Sequence, residues 1–91
     1  MENPEGQIGV DTAALRVSLR TLTEVLHEAE YDRHRLANAL QRALFLAELA
    51  ELPDAALLGL LRTLRREMRE ESVIERRSDY AARIAEATEL I

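Results

Sequence analysis

Residues 51–54 read Glu51-Leu52-Pro53-Asp54, and this stretch divides the chain into two helical arms. Pro53 has no backbone N–H to continue a helical ladder, and it biases Leu52 away from helical angles. Asp54 then places a negative charge where a new helix N-terminus favours one. Ahead of the turn, Leu15, Leu19, Leu22, Leu26, Ala29, Leu36, Leu40, Ala43 and Ala47 fall on one helical stripe, and alternation with period two is absent. No Gly or Pro interrupts Thr12 to Glu51, and Asp11 or Thr12 can cap the start. The spacing therefore predicts one helix over 12–51, locally weakened at Tyr31-Asp32-Arg33. Behind the turn, Leu57, Leu61, Leu64 and Met68 form a second stripe. Its phase slips through Glu70-Glu71-Ser72 and resumes at Val73 or Ile74, Tyr80, Ile84, Ala87 and Ile91.

That second arm reads as a helix over 55–90, kinked or split near 70–78. Ser72 with Glu75 fits a capping box, and Ser78-Asp79 offers another cap. The reading favours a kinked continuous helix. Gly59 within it costs about 1 kcal/mol against Ala or admits a close neighbouring helix. Met1 to Val10, with Asn3, Pro4, Gly6 and Gly9, reads as a flexible arm. The fold class is all-α: an antiparallel helical hairpin or small helical bundle, with one domain over 11–91.

Composition narrows the function classes. Of 91 residues, 47% are hydrophobic and 32% charged, too apolar for a disordered chain. The absence of Cys excludes a disulfide scaffold, a thiolate zinc site and a cysteine nucleophile. A net charge of −5 argues against nucleic acid and anionic membranes as partners, and aromatics at 3% leave few platforms for bases. No apolar run is long enough to span a membrane and no leader with a basic start is read, so a cytoplasmic location is expected.

A helix over 12–51 would be about 60 Å long, against a radius of gyration of about 12 Å for a compact chain of this size. A hairpin of such arms buries only one side of each. Yet Phe45, Leu46 and Leu49 lie off the main stripe of the first arm, as do Leu58 and Leu60 in the second. From Leu44 to Leu64 nearly the whole circumference is apolar, which demands burial on all sides. Either the chain folds into a shorter bundle of three or four helices, or a second chain supplies the cover. The second answer is the expectation, with a homo-oligomer (a dimer first) joined through Leu44, Phe45, Leu46, Leu49, Leu57, Leu58, Leu60, Leu61 and Leu64, and another protein as a further partner.

Chemistry-bearing residues gather in the first arm. Glu24, His27, Tyr31, His34, Asn38 and Gln41 follow steps of three and four and form a polar stripe that holds both His. Glu24 and His27 have the Glu-x-x-His spacing of metal-binding bundles, with Glu28 or Glu67 as conceivable extra ligands. One such pair with no His in the second arm reads better as a solvated face, so no metal and no cofactor is expected. Between 62 and 77, six Arg against four Glu leave a net +2, with −7 over the rest. The interleaved signs suit ion pairs on an exposed helix, Asp79 with Arg83 being another, rather than a phosphate-binding face. Ser18, Ser72 and Ser78 have helix or cap explanations, and Gly6 and Gly9 precede no strand. An enzyme is not expected.

Two resemblances add to this reading. His34-Arg35-Leu36-Ala37-Asn38-Ala39-Leu40-Gln41 resembles the H-box of some sensor histidine kinases, in which a phosphoacceptor His precedes an apolar residue at two, Asn at four and Leu at six. The resemblance implies His34 as the phosphorylated nitrogen nucleophile, Asn38 as a supporting group and a dimeric four-helix bundle. It covers eight residues, and no ATP-binding segment accompanies it, so such a chain would pass a phosphoryl group without making one. Val10-Asp11-Thr12-Ala13-Ala14-Leu15-Arg16 is similar to the opening of small helical-hairpin substrates of actinobacterial type VII secretion. Their Trp-x-Gly turn is absent here, and Ile84 stands where their tail acid would follow Tyr80. The expected function is a non-enzymatic assembly module that self-associates through Leu-rich faces. The alternative is histidine phosphotransfer through His34.

Overall fold

A computed structural model describes residues 12–50, 55–70 and 72–91. The expected flexible arm over 1–10, the Asp11 cap and the turn at 52–54 lie outside the described residues. Among the described residues the fold is an all-α bundle of four helices: α1 (Thr12–Leu26), α2 (Arg33–Ala50), α3 (Ala56–Glu70) and α4 (Arg77–Glu89), with a 3₁₀ turn at Ser72–Arg76 before α4. α1 packs on α2 and on α4, and α3 packs on the same two helices, while neither diagonal pair meets. Arg16 donates to the backbone oxygen of Ile91 at 3.0 Å, and Arg77 donates to that of Glu28 at 2.8 Å, so α1 and α4 run antiparallel.

The helix expected over 12–51 is broken after Leu26, and the reason is local. Asp32 Oδ1 accepts the backbone N–H groups of His34 at 3.0 Å and Arg35 at 3.2 Å, satisfying two of the donors that open α2. Its own carbonyl accepts the first intrahelical bond, from Leu36 at 3.0 Å. At the other side of the break the last turn of α1 tightens. His27 N–H is shared between the carbonyls of Thr23 and Glu24, and Glu28 N–H reaches Val25. Ala29 accordingly leaves the apolar stripe and is exposed. The second arm is split rather than kinked. The phase slip falls in the 3₁₀ turn, which buries Val73 and leaves Ile74 at the surface.

The break lets one chain enclose its own leucines. Leu15, Leu19, Leu22 and Leu26 of α1 meet Leu36, Leu40, Ala43, Leu44 and Ala47 of α2, Leu57, Leu61, Leu64 and Met68 of α3, and Tyr80, Ala81 and Ile84 of α4 in one core. Each large-to-Ala change there would cost about 2–5 kcal/mol. Gly59 does not serve a close helix approach, since a Cβ there would meet nothing within 4 Å. No helix among the described residues is long and apolar enough to cross a membrane.

Asp32→Ala removes the cap that starts α2, and about 1 kcal/mol of stability should go with it. Asp32→Asn should retain most of that contribution. Denaturant titrations of the two variants beside the unaltered protein check this, and equal losses would reject the capping role.

Candidate functional site

The break at Asp32 dissolves the polar stripe read from the sequence. Glu24 belongs to α1, His27 and Tyr31 to the connection, and His34, Asn38 and Gln41 to α2, so a single helical period no longer relates them. All are exposed except Tyr31, which is half-buried. His34 sits in the first turn of α2 with its ring in solvent, and Asn38 is one turn further on. Among the described residues no group of three or more His, Asp or Glu could hold a metal ion.

What gathers instead at this end is a structural tie. Arg77 places its guanidinium carbon 5.8 Å from the Tyr31 ring centroid, a cation–π distance, while donating to the Glu28 carbonyl. Glu28 in turn pairs with Arg35 through both of its carboxylate oxygens. One residue of α4 thereby holds the α1–α2 connection from outside. The Tyr31 hydroxyl is buried without a hydrogen-bond partner among the described residues. The ring's stacking, rather than its polar tip, accounts for its place.

Of the nine expected interface residues, Leu44, Leu57, Leu61 and Leu64 are core residues of a single chain and reach no surface. Leu46, Leu58 and Leu60 are half-buried. Only Phe45 and Leu49 are exposed, at 59% and 45%. All-round apolarity requires a second chain only if the two arms are straight. Four short helices meet the same demand with two neighbours for each helix.

The feature that stands out at the surface has no counterpart in the spacing of the residues. α3 and α4 approach each other less closely than the other neighbouring helices, and a cleft of about 700 Å³ opens between them. Gly59 and Leu60 line its α3 side, with Tyr80 and Ala87 opposite. The small residues keep the helices from filling the space between them, since Gly59 has no side chain and Ala87 only a methyl group. Charges along the cleft are mostly engaged. Glu67 Oε2 accepts from Arg76 at 3.0 Å, and Asp79 pairs with Arg83 at 3.3 Å. Glu67 Oε1 is buried and has no hydrogen-bond partner among the described residues. Burial first, and the Glu67 carboxylate beside it second, push the Tyr80 phenol above its usual pKa.

The basic segment over 62–77 contributes ties between elements rather than pairs along one helix. Arg62 reaches Glu48 of α2 at 3.2 Å, and Arg76 of the 3₁₀ turn reaches Glu67 of α3. Comparison with protein-family models, with curated proteins and with solved structures finds no match to this chain.

The raised Tyr80 pKa has a pH consequence. The fold prefers the neutral phenol, so its contribution is intact below about pH 10, the unfolded value, and is lost as pH rises through the higher native value. Tyr80 and Tyr31 are the two Tyr of the chain. A Tyr31→Phe background therefore isolates Tyr80, whose phenolate absorbance should appear later on alkaline titration than in the unfolded chain. Coincident titrations would contradict the assignment.

Proposed function

We propose that this protein is a non-enzymatic assembly module whose working surface is the apolar residue left over once the bundle has closed its own core. The observation carrying this reading is the exposure of Phe45 and Leu49 on the outer face of α2. Scattered apolar side chains at a surface need no explanation. These two are three and seven residues from Arg42, so a cation, an aromatic ring and a Leu share one narrow arc of the same helix. Aromatic and Arg side chains are the types that anchor protein–protein contacts. The partner is first a further copy of the same chain, with another protein as the alternative. The mechanism is burial of the remaining apolar arc, with charges setting the orientation.

Burying Phe45 at a contact is worth roughly 1.5–3 kcal/mol, about a ten- to hundredfold change in dissociation constant. The solution mass, followed by light scattering over a tenfold concentration range, should exceed that of one chain. Phe45→Asp with Leu49→Asp should return it to one chain with unchanged helical circular dichroism. A protein that stays monomeric throughout overturns the reading.

A second reading rests on His34, whose exposed ring and position one turn before Asn38 leave it open to a phosphoryl donor. His34→Gln abolishes function under that reading and leaves assembly untouched. An unaltered oligomer that fails to take label from a small phosphoramidate donor removes phosphotransfer from consideration.

A further inference from the structure

We infer that self-association runs head to tail: the outer face of α2 in one copy docks into the α3–α4 cleft of the next. This rests on the proposed assembly reading and adds to it the identity of the two surfaces. Three observations support the match.

The first is shape and apolarity. The cleft offers an apolar wall of Leu60, Tyr80 and Ala87 with an unfilled space over Gly59. The outer face of α2 offers Phe45 and Leu49, the projecting side chains that such a space accommodates. The second is charge. Arg76 and Arg83 are already paired with Glu67 and Asp79, which leaves the exposed Glu86, with no ion pair among the described residues, as the cleft's open acceptor. Arg42 is exposed on the docking arc and has no ion pair among the described residues. An approaching Arg42 meets in Glu86 a carboxylate of opposite charge, and a charge-assisted hydrogen bond between the two fixes the docking orientation.

The third observation is placement. Thr21 and Val25 of α1 line a shallow depression with Asn38 and Arg42, so the docking arc borders the α1–α2 seam. In a ring of four helices whose diagonals do not meet, the α1–α2 seam lies opposite the α3–α4 seam. Plug and cleft are therefore on opposite sides of one molecule, and two copies cannot satisfy each other reciprocally. Such a heterologous contact propagates as an open chain or closes as a ring, and it leaves an unused plug and an unused cleft on any open pair.

The test exploits that asymmetry. Phe45→Glu blunts the plug and keeps the cleft. Gly59→Phe fills the cleft and keeps the plug, at a position where a new Cβ meets nothing. Each variant alone should be monomeric at concentrations where the unaltered protein assembles, its self-affinity weakened tenfold or more. Mixed in equal amounts they should form a species of two chains and no larger, because both outer ends are disabled. If Gly59→Phe loses helical signal, Glu86→Arg takes its place, since it repels Arg42 from an exposed position in the same cleft.

Assembly of the unaltered protein with both single variants still associating overturns the inference and leaves the assembly reading standing. Monomeric single variants whose mixture also stays monomeric overturn the head-to-tail geometry. An unaltered protein that remains monomeric removes the assembly reading and this inference with it.

Discussion

The leucine stripe of α1 must be covered from two directions, and the rest of the bundle is arranged around meeting that constraint. Leu15, Leu19, Leu22 and Leu26 are excluded from water by α2 on one side and α4 on the other. An uninterrupted first arm would carry its second half away from the first along one axis. Asp32 prevents this by giving the N–H groups of His34 and Arg35 a side-chain acceptor, so that α2 starts afresh and folds back. Arg77 then fastens the resulting connection to the start of α4, through the Glu28 carbonyl and the Tyr31 ring.

Closure on this plan is uneven. α3 meets α2 with leucines, yet it faces α4 across Gly59 and Ala87, where little side-chain volume is available. The bundle is held at the Glu67 end by Arg76 and left open toward the other end of α3. A cleft of this kind is a consequence of small residues at a seam. It also leaves the exposed Glu86 carboxylate without an ion pair among the described residues, a group that a partner's cation can complete. The apolar arc of α2 and this cleft lie on different helices of the bundle, the first formed by projecting side chains and the second by their absence.

The exposed ion pairs have a modest energetic role. Arg62 with Glu48 and Asp79 with Arg83 are largely solvated, and pairs of that kind contribute about 0–1 kcal/mol. Their value lies in which elements they join, since Arg62 links α3 to α2 and Arg76 links the 3₁₀ turn to α3. Arg62, Arg76 and Arg77 of the basic segment over 62–77 tie elements of one chain together, while Arg65, Arg66 and Arg69 stay exposed at the surface of α3.

Much of the fold was legible in the residues. The 3.6-residue spacing of Leu57, Leu61, Leu64 and Met68 placed them on one face, and all four are buried. The slip through Glu70-Glu71-Ser72 located the split of the second arm, because a helical phase cannot shift without some departure from α geometry. Asp32 was the missed signal in the first arm: an Asp three residues before Arg35 can cap, but a helix continuing past it is locally almost as favourable. Chain-local preferences do not distinguish these outcomes. Burial of the first arm's own leucines does, and it depends on residues more than forty positions away. For the same reason the sequence could mark Leu44, Leu57, Leu61 and Leu64 as needing cover without telling whether that cover came from this chain or another. The sequence by itself determined helix, period and apolar demand, which are set by neighbours a few positions apart. The tertiary structure alone decided which apolar residues were consumed in the core, which remained outside, and where two helices failed to meet, because each depends on how four helices divide a limited amount of contact.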